Sequence, residues 1–242
     1  MSTLFVVATP IGNLEDITLR AVSTLKSVSL VAAEDTRRTL ALLTHLGIHV
    51  KMISCRAQNE EYAAQKIVSA LDSGGNAAFV SDAGTPAISD PGAVLVQSAL
   101  KAGHTVSPVP GASAFTALLS VAGARDKTVL FEGFLSPKSG RRRARIKTLL
   151  ECEAGFVLYE SPFRVLKLLA DLADFDKTRR LCLGREMTKL HEEFLRGTVE
   201  EVLAGLSNRE ELRGEFALYV YGKKTGGNAG KLAEVPVDSA SV

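Results

Sequence analysis

Hydrophobic positions fall in short unbroken runs separated by helical stripes, and the alternation predicts an α/β fold. Residues 4–9 form an apolar run of strand length, too short for a helix of its own. A helix is predicted from about Thr18, with Asp16 near its start as the cap. Residues 29–33 read as the next strand. Leu40, Leu43 and Leu46 then share a helical face that stops at Gly47. Residues 50–53 are a short strand. Ala63, Ile67, Ala70 and Leu71 mark a helix halted at Gly74-Gly75. A strand over 77–80, a helix over 92–102 and a strand over 105–109 follow, and a helix over about 113–121 closes the first half.

This order implies a parallel sheet with helices on both faces. Ligands of such sheets sit beyond the carboxyl ends of the strands. The loops at 9–13, 34–37, 81–86 and 110–113 all fall at that end. Past 123–126 the rhythm changes. Strands over 129–135, 156–160, 181–186, 193–198 and 215–221 come in closer succession and predict a mixed sheet. A basic helix over 141–150 and helices carrying Val165, Leu168, Leu169 and Leu172, then Val199, Val202, Leu203 and Leu206, lie among them. The expected architecture is a two-domain α/β chain, mainly parallel over 1–124 and mixed over 125–222. The tail over 223–242, rich in Gly, Ala, Ser and Lys, is expected to be disordered.

Composition narrows the classes. At 242 residues, 46% hydrophobic and 23% charged, the chain suits a soluble globular protein. A formal net charge of +2 does not demand a polyanionic partner, so any such partner must be argued from local charge. Cys55, Cys152 and Cys182 are odd in number and widely spaced, which fits reduced thiols and neither a disulfide framework nor a metal site. No basic leader precedes the first strand, and no apolar run approaches the roughly 18 residues of a membrane span. A cytoplasmic protein without a membrane segment is expected.

The loop over 81–92 reads Ser-Asp-Ala-Gly-Thr-Pro-Ala-Ile-Ser-Asp-Pro-Gly. Its small residues allow close backbone approach, and Asp82 puts a carboxylate at a strand end. Ser89 or Asp90 can cap the next helix, with Pro91 near its first position. An ordinary capped turn has the same residues. Length and position favour a binding loop. The turn over 9–13 has Asp35 about 20 residues further on but lacks the G-x-G-x-x-G glycines of a dinucleotide site. Pro110-Gly111-Ala112-Ser113 places exposed N–H groups at a helix start, suited to an anion or to a simple cap.

Together the motifs at 9–14, 33–37, 81–92, 110–114, Phe-Glu-Gly-Phe-Leu (131–135), Tyr-Glu-Ser-Pro-x-Arg (159–164) and Arg-Glu-x-Thr-Lys-Leu-His-Glu-Glu-Phe-Leu-Arg-Gly-Thr (185–198) resemble the tetrapyrrole-methylase superfamily. Within it they are most similar to the branch that methylates the 2′-hydroxyl of a cytidine in the decoding region of 16S rRNA. The resemblance implies S-adenosylmethionine as cofactor, held between two domains, a homodimer, and 16S rRNA within the small ribosomal subunit as partner. By motif, Ile11, Asp82, Thr85, Ser113 and Ala114 line the cofactor pocket, with Tyr159 and Met187 from the second domain. The branch often carries histidines just before the pair matched by Asn59-Glu60. Gln58 stands at one such place here, so a histidine there is no obligatory base.

A 2′-hydroxyl is a weak nucleophile and benefits from a base. Glu34, Asp35, Glu60 and Glu186 are the candidates, and Asp35 reads equally as a helix cap. His45, His49 and His104 read as structural, while His191 lies in the motif at 185–198. Phosphate contact is expected from Arg37 and Arg38 near the ligand end and from the cluster of Arg141, Arg142, Arg143 and Arg145, flanked by Lys138 and Lys147. A solvated helix face reads the same way. Two other functions remain open: methylation of a tetrapyrrole on the same fold and cofactor, and a non-catalytic RNA-binding assembly factor. Tetrapyrrole enzymes usually carry a Gly-rich turn where this chain has Thr-Pro-Ile-Gly-Asn.

Overall fold

The computed structural model describes residues 2–223. From residue 224 on, the tail expected to be disordered lies outside them. Strands β1 (Thr3–Val7), β2 (Leu30–Ala33), β3 (Lys51–Ser54), β4 (Ala77–Val80) and β5 (Thr105–Val109) form an all-parallel sheet in the order β3-β2-β4-β1-β5. Alternate residues of each strand face opposite sides, so a strand covered on both sides must be apolar throughout. In β2, Leu30 and Ala32 pack toward α3 (Glu60–Asp72) and α4 (Ala93–Lys101), while Val31 and Ala33 pack toward α1 (Leu19–Ser27) and α2 (Thr36–His45).

The fifth helix, α5 (Ala114–Ala122), does not close the first half as its place in the chain suggests. Instead its Leu118 and Ala122 pack against Val157, Cys182, Ala217 and Tyr219 of a second sheet. That sheet holds β6 (Val129–Phe134), β7 (Gly155–Glu160), β8 (Arg180–Arg185), β9 (Glu193–Thr198) and β10 (Phe216–Val220) in the order β6-β7-β10-β8-β9. Of its neighbouring pairs only β6–β7 is parallel, so the sheet is mixed as its spacing predicts. Its other face is covered by α6 (Ser139–Glu151), α7 (Val165–Asp176) and α8 (Val199–Ser207). Helix α5 thus fastens the first half beneath the second and fixes the cleft between them.

Three local readings need correction. Thr18, not Asp16, caps α1 by accepting the Ala21 N–H at 3.0 Å, and Asp16 sits in a short 3-10 turn capped by Asn13. On α2, Leu40 is 54% exposed, and the buried stripe is Thr39, Leu42 and Leu43 with Leu46 at its edge. Three-residue steps drift off a 3.6-residue period, which carries Leu40 to the outside. Finally, neither Ser89 nor Asp90 caps α4. Gly92 is its first flanking residue, and the cap comes from Glu60. No helix among the described residues is long and apolar enough to cross a membrane.

Candidate active site

Loops from the carboxyl ends of β1, β2, β4 and β5 meet at one edge of the first sheet. Thr9 and Gly84 exchange N–H···O bonds of 3.0 Å each, an isolated antiparallel bridge just beyond the parallel strands. Gly84 has φ +81°, and a Cβ there would press on the Ile11 side chain at 3.3 Å. Only glycine suits both the left-handed backbone and that approach. The Thr85 hydroxyl donates to the Ala112 carbonyl at 3.3 Å, tying in the loop after β5. From β2, the Asp35 N–H donates to Asp82 Oδ1 at 2.9 Å, and the Asp82 N–H in turn reaches Glu34 Oε2 at 3.4 Å.

The second half supplies the facing wall. Phe115, Phe131, Tyr159 and Phe134 form a chain of edge-to-face contacts with centroids 5.2, 5.2 and 5.8 Å apart. Gly184 leaves room for Met187, whose Sδ would lie 2.7 Å from a Cβ at that position. Burial, partly offset by a backbone hydrogen bond, pushes the Tyr159 phenol up to about 12, so it stays neutral near pH 7.

Between these walls lies a cleft of about 430 Å³. Ile11, Asp82, Thr85, Ser113, Ala114, Tyr159 and Met187 all border it, as do Glu34, Arg38 and Asp90. Burial raises the Glu34 carboxyl above its ordinary value despite the Asp82 N–H, with Asp90 and Asp82 adding like charge. Burial also raises Asp90, with Asp82 adding to it and a hydrogen bond from the Ser81 hydroxyl opposing it. A second cavity of about 270 Å³ adjoins the first and shares Arg38 and Asp82 with it.

The other candidate carboxylates stand outside the cleft lining. Asp35 caps α2 through the Arg37 N–H at 2.9 Å and pairs with the Arg37 guanidinium at 2.7 Å, which holds it well below the usual carboxylate range. Glu60 Oε1 accepts the N–H groups of Gly92 and Val94 at 2.8 Å each. Burial would raise Glu186, but hydrogen bonds from Lys189 Nζ and the Glu215 N–H outweigh it and hold the group low. Among the described residues no histidine borders the cleft, and His104 is paired with Asp72 at 2.9 Å.

The arginine cluster on α6 is mostly neutralised within the fold. Arg142 is 7% exposed and donates to Asp171 at 2.6 Å. Arg143 bridges Asp171 and Asp174 at 2.7 and 2.6 Å. Arg145 makes a bidentate pair with Glu132. Arg141 is exposed with no ion pair among the described residues, and Arg37 lies spent on Asp35. Arg38, 64% exposed and 3.7 Å from Asp82, is the arginine at the mouth of the cleft. The structure also brings in Phe131, Phe134 and Asp90, which sequence reasoning does not assign to the site. A signal for them exists, since each falls within a motif at a strand's carboxyl end.

Residues 3–203 match the family model for tetrapyrrole (corrin/porphyrin) methylases. The chain is 47% identical to the ribosomal RNA small subunit methyltransferase I of Borrelia garinii, over 90% of this chain and 97% of that one. It is 49% identical to the protein of that name from Neisseria meningitidis serogroup B, over 90% and 76% of the two chains. The Thermotoga maritima protein of that name is 42% identical, over 93% of this chain and all of its own length. A solved uroporphyrin-III-C-methyltransferase from Thermus thermophilus superposes with a TM-score of 0.64 over 91% of this chain and 94% of that one, at 20% identity, and so has the same fold.

Proposed function

The chain belongs to the tetrapyrrole (corrin/porphyrin) methylase family, and from that premise we propose that it methylates small-subunit ribosomal RNA, at the ribose 2′-hydroxyl of a cytidine in the decoding region. The observation that carries this reading is the interdomain cleft, bordered at once by the motif loops of both halves. Likeness to RNA-modifying relatives along nearly the whole chain favours RNA over a tetrapyrrole.

S-adenosylmethionine is the methyl donor, and its sulfonium supplies an electrophilic methyl carbon. The residues present fit it. Gly84 gives a backbone cradle that a Cβ would fill, and Ser113 makes no side-chain cap, leaving the first N–H groups of α5 open beside the cleft. Ile11, Ala114 and Met187 offer apolar contact, Thr85 and Tyr159 hydroxyls, and Asp82 a carboxylate for a hydroxyl or ammonium group. Phe131 and Tyr159 keep water from that wall, and positioning of the acceptor oxygen carries much of the rate. Arg38 at the mouth is suited to a backbone phosphate, and Arg141 on α6 is exposed to solvent. Of the four carboxylates named from sequence as candidate bases, Glu34 is the one facing the cleft.

The same reading takes 1–124 and 125–222 as two domains of a cytoplasmic homodimer. Exposed Leu14, Leu19 and Leu190, near the point where the Asn13 N–H meets Thr188 Oγ1 at 3.1 Å, offer apolar surface to a second copy. The substrate is tested with labelled S-adenosylmethionine and small ribosomal subunits lacking the modification. Label in the RNA supports the proposal. Label transferred instead to a tetrapyrrole overturns the substrate while keeping the cofactor.

A further inference from the structure

Carboxylates around the cleft can be sorted by the partners that already occupy them. Asp35 caps α2 and holds Arg37, and Glu60 holds the start of α4. Glu160 accepts the Ser161 N–H and pairs with Arg164 at 2.7 Å. Glu215 pairs with Lys189 at 3.0 Å. Asp82 accepts the Asp35 N–H and faces Arg38, and Glu34 accepts the Asp82 N–H. Asp90 makes no ion pair and caps no helix among the described residues, because Glu60 performs the cap that the position of Asp90 before α4 suggests. The Ser81 hydroxyl, which donates to the Ala83 carbonyl at 3.4 Å, lies close enough to lower the Asp90 carboxyl.

The placement of Asp90 is equally particular. Its neighbour Ser89 presses against β6, with Oγ 3.1 Å from where Gly133 would carry a Cβ. The loop leaving β4 therefore crosses to the second half at this point, and Asp90 borders the cleft at the seam. It lies near enough to Glu34 on one side and Tyr159 on the other for its charge to act on both.

We propose that Asp90 is the general base of the methyl transfer, a role that rests on the 2′-hydroxyl substrate proposed above. The ribose oxygen bonds to the methyl carbon as the carbon–sulfur bond breaks. The electron pair stays on sulfur, leaving a neutral thioether. The hydroxyl proton passes to an Asp90 carboxylate oxygen and then to water. The groups facing Asp90 suit this task. Asp82 opposes its ionisation, Asp90 in turn raises Glu34, Arg38 on α2 faces Asp82 at 3.7 Å and lowers Glu34, and Tyr159 on β7 is neutral. Burial raises the carboxyl above its ordinary value, which makes its carboxylate a stronger proton acceptor.

The test uses full-length wild type, Asp90→Asn, Asp90→Glu and Glu34→Gln. Two quantities are measured: the affinity for S-adenosylhomocysteine by calorimetry, and single-turnover transfer to small ribosomal subunits across pH. Asp90→Asn should bind the thioether as wild type does and transfer roughly 10²–10⁴-fold more slowly. It should also lose the rise of rate with pH that wild type shows. Asp90→Glu should recover part of both, and Glu34→Gln should keep the pH profile. An Asp90→Asn rate and profile like wild type would overturn the proposal. So would a loss of transfer fully matched by a loss of thioether affinity, or disappearance of the pH limb in Glu34→Gln alone. Wild-type protein that binds the thioether yet transfers nothing to subunits would overturn the substrate reading and this role with it.

Discussion

Glu60 Oε1 accepts the Gly92 N–H at 2.8 Å, so the first turn of α3 holds the first turn of α4. The Val94 N–H reaches the same oxygen at 2.8 Å. With the Leu95 N–H at 3.4 Å, one carboxylate thus satisfies three donors that a helix otherwise leaves open, and its charge complements the helix dipole. Glu60→Ala should lower unfolding free energy by about 1–2 kcal/mol in denaturant titrations. Glu60→Gln, which keeps an acceptor, should recover much of the loss. An unchanged midpoint in Glu60→Ala would remove this cap from the account of why α4 starts where it does.

Asp82 joins the loops after β2 and β4 while bordering the cleft. Its Oδ1 accepts the Asp35 N–H at 2.9 Å. Asp82→Ala should leave the circular dichroism spectrum intact and weaken S-adenosylmethionine binding by about tenfold or more, the scale of a hydrogen bond to a charged group, about 1.5–3 kcal/mol. Calorimetry giving the wild-type affinity would exclude Asp82 from cofactor contact.

The arginines should separate by burial. Arg142→Ala removes the buried 2.6 Å partner of Asp171, which keeps Arg143 at 2.7 Å, and should cost about 1.5–3 kcal/mol of stability. Arg38→Ala and Arg141→Ala should leave stability nearly unchanged. Each should weaken RNA binding and lower the slope of log affinity against log salt by about 0.7 for each phosphate of single-stranded RNA that is no longer neutralised. Equal slopes for Arg38→Ala and wild type would move the RNA path away from the cleft mouth.

Stability should depend on pH through the raised carboxyls. Because burial raises the folded-state value of Asp90 above its ordinary value of 3.8, the folded protein holds this proton more tightly than the unfolded chain does. Below 3.8 both states are protonated and the group costs nothing. As pH rises through the folded value, stability falls. Asp90→Asn should therefore raise Tm near neutral pH, by a few degrees at most because water screens a partly exposed group, and the gain should vanish near pH 3.8. A gain that persisted at low pH would point to packing rather than charge.

Much of this site is legible in the sequence because strand periodicity marks where strands end, and parallel sheets collect ligands there. The stretches 77–80, 105–109 and 193–198 coincide with β4, β5 and β9, since each is an apolar or alternating run bounded by turn residues. Position along the chain does not reveal tertiary partners. Arg142 and Arg143 meet Asp171 and Asp174 on α7, so a run that reads as free positive charge is largely spent inside the fold. Helix α5 follows a strand of the first sheet yet packs beneath the second, a choice made by the apolar face of Leu118 and Ala122 and not by connectivity. Asp90 reads as a cap because Asp before a helix usually is one. Only the fold shows Glu60 in that role.

The most direct test of the central claim is nucleoside mass spectrometry of small-subunit RNA after incubation of unmodified subunits with this protein and S-adenosylmethionine. One new 2′-O-methylcytidine, located in the decoding region, is expected. Methylation on a base, or RNA left unmodified while the protein binds the cofactor, would contradict it.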